Sequence, residues 1–248
     1  MNFILDALAF IFDGANWPGD RQIGIRLLDH IGQTVAAVGI GIVIAVPLGL
    51  LIGHTGRGRR AIVVVTNAAR ALPTFGLLLF LVLVFGFGLR LPVLLAVLVV
   101  MAVPPILAGV YAGIESIDRT TITAARAVGM TEWQILTRVE VPLALPLMVG
   151  GLRSATLQVI ATATIAGYIS LGGLGRYLIE GLALRDYTLA VVGALLVGAL
   201  ALVADGLLAV VQRLVVPRGV PRGSTGTIRT ISRRSSRPTG SRAPVTEG

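Results

Sequence analysis

Three stretches of the chain, Ile31–Gly53, Ala71–Leu89 and Leu91–Ile114, contain no charged residue. Each reaches the roughly 20 apolar residues that a helix needs to cross a hydrocarbon core about 30 Å thick. Two further runs match them closely, one from about Leu143 to Tyr168 broken only by Arg153, the other from Tyr187 to about Gln212 broken only by Asp205. Backbone polar groups in lipid must be satisfied within their own segment, so such runs predict helices. The pattern predicts an all-α fold, a polytopic membrane helical bundle of about five transmembrane helices. The apolar segment Ala61–Ala69 is too short to cross and reads as a lead-in to the second span. Met1–Phe12 lacks the positive flank of a signal peptide and reads as an interfacial helix, the rival being a sixth crossing.

A different pattern, TAARAVGMTEWQILTRVEVPLALP, separates the third run from the fourth and spans Thr123–Pro146. It predicts a helix, a turn and a second helix. The first helix covers roughly Thr120–Val128 and stops at Gly129, the residue type that most cheaply takes a left-handed conformation after a helix end. Thr131 and Gln134 have the spacing of a capping box, and Met130 and Ile135 that of a hydrophobic staple. Ile135, Leu136 and Val139 share one face, with Glu132, Arg138 and Glu140 away from it. Pro142 opens the next span, where its missing N–H costs nothing. Such a loop fits either an amphipathic helix lying on lipid or a docking surface for another protein. The small pair Ala124–Ala125 before the turn favours docking.

Arginine placement orients the bundle, because short loops rich in Arg stay in the cytoplasm. The loop after the first span, the loop between the third and fourth spans from Arg119, and the stretch from Arg213 onward hold 15 of the 21 basic residues, all of them arginine. The expected topology is N-terminus outside and C-terminus cytoplasmic in the plasma (inner) membrane, with the helix–turn–helix loop facing the cytoplasm. The domains follow as an outer-side N-terminal segment over 1–26, a transmembrane domain over 27–216 and a basic cytoplasmic tail over 217–248. The tail is rich in Arg, Ser, Thr, Gly and Pro, a composition that cannot bury a core and predicts disorder. Its charge suits anionic membrane lipid, against the plainer reading of a solvated tail with no specific job, and no nucleic-acid partner is expected.

Composition then excludes several functions. Hydrophobic residues make up 55% of the chain and charged ones 13%, which rules out an ordinary soluble domain. Cysteine is absent, as is lysine, so a thiolate metal site and a Walker-type phosphate loop are both unavailable. No paired acids or His-Glu-x-x-His element points to a catalytic or metal centre, and none is expected. His30 and His54 lie 24 residues apart at opposite ends of the first span, too far to share a metal. A secondary transporter would show repeated halves and several intramembrane acids, whereas Asp205 is the single acid inside the spans. Counted inward from one membrane face, Arg153 and Asp205 lie at nearly equal depth and form a candidate intramembrane charge pair. Gln33, Thr34, Gln158, Thr162 and Thr164 are candidate polar residues of a translocation pathway, against the plainer role of hydrogen bonding between helices. Gly49–Gly53 and Gly109–Gly113 have the spacing of close helix contacts.

The order Ala124-Ala125, Gly129, a helix and then Leu145-Pro146 resembles the signature loop of permease subunits in binding-protein-dependent ABC importers. ARALPTFGLLLF (Ala69–Phe80), GLRSATLQVIATATIAGYI (Gly151–Ile169) and GGLG (Gly172–Gly175) extend the resemblance. Together they are similar to the osmoprotectant branch, which takes up glycine betaine, carnitine, choline or proline. The resemblance covers about Gln33 to Val216. It implies a permease domain whose loop is a coupling helix docking on a separate ABC ATPase, with Thr123, Ala124, Ala125, Arg126, Gly129, Glu132, Ile135 and Leu136 as the coupling residues. It also implies a second permease subunit and an extracytoplasmic solute-binding protein. ATP and Mg would be used by the ATPase, with no cofactor on this chain and no enzymatic activity of its own. Thr123 departs from the glutamate usual in the family. An importer permease for another small solute, such as an amino acid, and an ion-coupled transporter remain the alternatives.

Overall fold

The computed structural model describes residues 2–19 and 23–215, and the tail from 217 lies outside them. The elements are α1 (Phe3–Phe12), α2 (Ile23–Thr55), α3 (Arg59–Ala71), α4 (Thr74–Phe85), α5 (Arg90–Glu115), α6 (Arg119–Ala127), α7 (Glu132–Ile135), α8 (Val141–Ala163), α9 (Gly175–Leu184) and α10 (Tyr187–Leu214). No strand occurs among the described residues. Among the described residues four helical segments are long and apolar enough to cross a membrane: Ile23–Thr55, Phe87–Glu115, Glu132–Ile169 and Tyr187–Leu214.

The expected second span, Ala71–Leu89, is not one straight helix. The lead-in is itself helical as α3, and the chain breaks at Leu72 and Pro73, both with extended ψ, before α4 begins. Proline removes a backbone donor and pushes the residue before it out of the helical region, which accounts for the break. Each piece, of 13 and 12 residues, is about 18–20 Å long. Both pack along α5, and α4 is the apolar one of the two, α3 carrying arginine at both of its ends. The fourth span also differs from its expected bounds, because the helix after the turn runs on into it. The α-helical part ends at Ala163, and Thr164–Ile169 continue as a tighter 3₁₀ segment.

α5 is the central helix, packed on α2 along one side and α8 along the other. In lipid the apolar side chains gain little by leaving one hydrocarbon for another, so close approach of backbones supplies much of the holding force. Small residues permit it. A Cβ added to Gly109 would lie 2.7 Å from the Gly151 Cα, and one on Gly113 would lie 2.9 Å from the Ala144 Cβ. On the other side, Cβ atoms on Gly49 and Gly53 would lie 2.7 Å and 2.8 Å from Val110 and Ile114. The remaining core consists of α5 residues such as Val97, Leu98 and Ile106 against Ala37, Ala45, Ala155 and Val159. α10 packs on α8 and α9, and α1 packs on α10 through a cluster of Ala7, Ile23, Tyr177 and Val192. α2 thus starts at Ile23, four residues before the expected boundary at 27.

Candidate functional site

The helical hairpin between α5 and α8 is built from local signals. The Asp118 carboxylate accepts the Thr120 N–H at 2.9 Å and so caps α6, and that hydrogen bond holds its pKa below the ordinary aspartate value. At the other end Gly129 sits at φ +82°, the Met130 N–H donates to the Ala125 carbonyl at 3.2 Å, and the Gly129 N–H donates to Arg126 at 3.0 Å. These two bonds form a Schellman ending. Thr131 then caps α7. Its hydroxyl accepts the Gln134 N–H at 3.3 Å while the Gln134 side chain accepts the Thr131 N–H at 2.9 Å. Beyond α7 the turn widens into a π segment, Leu136–Glu140, and leads without a stop into α8. Pro142 has no N–H to offer the preceding turn, which suits it to that junction.

Ile122, Ala125 and Ile135 are buried together, with Met130 and Val139 packed around them. Ala124 and Ala125 therefore do not share one outward face, since successive helical residues project about 100° apart. Ala125 points into the hairpin core, whereas Thr123, Ala124, Gly129 and Arg126 are exposed and Leu136 is half-buried. Two large apolar side chains stand out to solvent beside them, Val128 at 78% and Trp133 at 72% exposure. Arg126 reaches across the turn with a two-pronged contact to Glu132, at 2.8 Å and 3.0 Å. That bond holds the Glu132 carboxyl below its usual range and raises the Arg126 guanidinium further.

His54, in the last turn of α2, ties the hairpin to the bundle. Its Nδ1 lies 2.5 Å from Glu140 Oε2 and its Nε2 lies 3.3 Å from Glu132 Oε2. Glu140 is 5% exposed, so the contact is sheltered. Neither His54 nor Glu140 was among the candidate site residues. They are 86 positions apart, and no local spacing rule reaches that far.

The candidate charge pair meets. Arg153 Nη2 donates to Asp205 Oδ2 at 2.6 Å and Arg153 Nε donates to Oδ1, joining α8 to α10. The five candidate pathway residues do not converge. Gln33 donates to the Leu171 carbonyl at 3.0 Å, Thr34 to His30 at 2.8 Å and Thr164 to Ala161 at 2.8 Å. Gln158 lies against the Met101 sulfur, and Thr162 is half-buried. Thr34 also borders a cleft of about 510 Å³ between α2, α8 and α10 whose other walls are almost wholly hydrocarbon.

The model of the family described as "Binding-protein-dependent transport system inner membrane component" matches residues 37–217. The chain belongs to that family. It is a transport permease component, and its apolar helices are those of a multi-pass membrane protein. The glycine betaine/carnitine/choline transport system permease protein of Bacillus subtilis (strain 168) is 35% identical over 192 residues, which are 77% of this chain and 88% of that protein. The osmoprotectant import permease protein of Salmonella typhimurium is 34% identical over 223 residues, covering 87% of this chain and 100% of that one. Among solved structures, the inward-facing MetNI methionine ABC transporter superposes with a TM-score of 0.67 at 22% identity, over 79% of this chain and 96% of its own. That likeness concerns the fold alone.

Proposed function

We propose that the chain is the membrane permease subunit of an ATP-driven importer of osmoprotectants such as glycine betaine, carnitine, choline or proline. The observation that carries this reading is the hairpin, a preformed helix–turn–helix with its own small core that leaves Ala124, Val128 and Trp133 unpartnered on its surface. Exposed aliphatic and aromatic groups beside a rigid turn suit a protein groove. In this reading the groove belongs to a separate ABC ATPase, which binds ATP and Mg. A second permease, identical or homologous, completes the pathway, and a solute-binding protein delivers the ligand from outside. The hairpin and the C-terminus face the cytoplasm and the N-terminus faces outward. ATP-driven closure of the two ATPases moves the hairpins together, and the bundles reorient.

The test is reconstitution. The tagged chain, expressed with its neighbouring genes, should retain an ATPase through purification and support ATP-dependent uptake of radiolabelled glycine betaine, carnitine, choline or proline in proteoliposomes. Uptake that persists without ATP and follows an ion gradient sinks the proposal. ATP-driven uptake of an amino acid other than proline, with none of the four, leaves the importer and removes the osmoprotectant.

A further inference from the structure

α2 makes polar, directional contacts at both of its ends. At the hairpin end His54 brackets the π segment, meeting Glu132 before it and Glu140 at its close. At the opposite end four residues over two turns grip the loop and helix that follow α8. Gln33 donates to the Leu171 carbonyl, and the His30 ring accepts the Leu174 N–H at 3.3 Å while its other nitrogen lies 3.0 Å from the Ile160 carbonyl. The Asp29 carboxylate packs on Gly172 so closely that a Cβ there would lie 2.4 Å from it. Arg26 pairs with Glu180 at 3.2 Å and stacks over Tyr177 at 4.1 Å. The 24 residues from His30 to His54 span about 36 Å at the helical rise. Between them Gly41, Gly49 and Gly53 seat α2 against Ala102, Val110 and Ile114 of α5, on both sides of Pro47, so the helix cannot bend freely at that proline.

We propose that α2 is a strut that carries movement of the hairpin to the loop Leu171–Leu174, with His54 as the positioning residue at one end and His30 at the other. The importer reading supplies the purpose of such a link, in which an ATPase pulling on the hairpin re-sets the opposite mouth of the pathway. A displaced hairpin draws on His54 through two carboxylates, α2 moves with α5, and the four far contacts shift the loop. π segments inside helices are common at functional sites, and this one allows the hairpin to move relative to α8 while His54 keeps its hold.

Coupling between two sites is reciprocal, so it can be read from either end. Hydrogen exchange of the full chain in lipid nanodiscs is the measurement, with the Leu174 amide as reporter of the far contact. His54→Gln, and the milder Glu140→Gln should the first fail to fold, is expected to speed exchange at 171–174 about tenfold as well as at 132–140. Gln33→Met, which keeps shape and loses the bond to Leu171, is expected to loosen 132–140 in return. Exchange changes confined to the mutated end overturn the strut. In the reconstituted complex, His54→Gln should keep its ATPase while solute taken up per ATP falls about tenfold, whereas equal loss of uptake and hydrolysis also overturns it. A wild-type complex that imports no osmoprotectant counts against the proposed function, and the exchange data still decide the strut.

Discussion

At the scale of single residues, Arg153 and Asp205, two charges deep in their spans, illustrate how a costly group is made tolerable. A lone Arg or Asp within a bilayer is strongly disfavoured, and Arg153 and Asp205 answer each other with a two-pronged contact between α8 and α10. Removing one leaves the other unanswered. Arg153→Ala and Asp205→Ala should each lower the amount of folded permease in the membrane about fivefold, and the double variant should recover much of that loss, as coupled neighbours do. Quantitative immunoblotting of membranes checks it, and strictly additive losses count against the pair. The Arg126–Glu132 bond lies in water and behaves differently. Because Arg126 holds the folded Glu132 carboxyl below its ordinary value of about 4.3, the bond contributes fully above that pH and is lost as pH falls through the lower folded value. Protease nicking of the hairpin should therefore be constant from neutral pH down to that value and rise below it. Glu132→Gln should show the raised nicking at every pH.

At the scale of elements, the parts legible in the sequence are those whose causes are local. The Thr131–Gln134 box, the Gly129 ending and the Met130–Ile135 staple all lie within six residues of one another, and each is formed as the spacing predicts. The charge pair was legible too, because depth can be counted along two helices. The division of the second span was only half visible, since a proline near the end of an apolar run fits either a helix start or a break. Contacts across the bundle, such as His54 with Glu140 or Asp29 with Gly172, had no local signal because packing creates them. The burial of Ala125 beside an exposed Ala124 belongs to the same class. It decides which substitutions test docking. Val128→Ser with Trp133→Ser should leave the chain at normal abundance and weaken copurification of the ATPase about tenfold, whereas Ala125→Arg should disrupt the hairpin itself. Gly129→Val should cost the hairpin about 1–2 kcal/mol, since a β-branched residue is strained at φ +82°. Pulldown with equal chain loaded in each lane separates the two classes.

At the scale of the whole molecule, the remaining question is which end of the bundle faces the cell interior. The helices fix which loops share a face: Arg57 lies on the side of the hairpin, which itself carries Thr120 and Thr131, since the α2 C-terminus touches the hairpin through His54. Phe87, in the turn before α5, and Leu184, the last residue of α9 before the turn into α10, are both exposed, at 55% and 74%. Arginine is concentrated on the hairpin side, and short loops rich in arginine resist translocation, which supports the proposed assignment of that side to the cytoplasm. An ATPase can reach the hairpin only under that assignment, which ties topology to mechanism. The chain has no cysteine, so any introduced thiol is the sole target for a probe. In intact cells a membrane-impermeant maleimide should label Leu184→Cys and Phe87→Cys and spare Arg57→Cys and Thr131→Cys until the membrane is opened. Labelling of Arg57→Cys in intact cells, with Leu184→Cys protected, would invert the bundle, place the hairpin out of reach of ATP, and remove the importer reading along with the orientation.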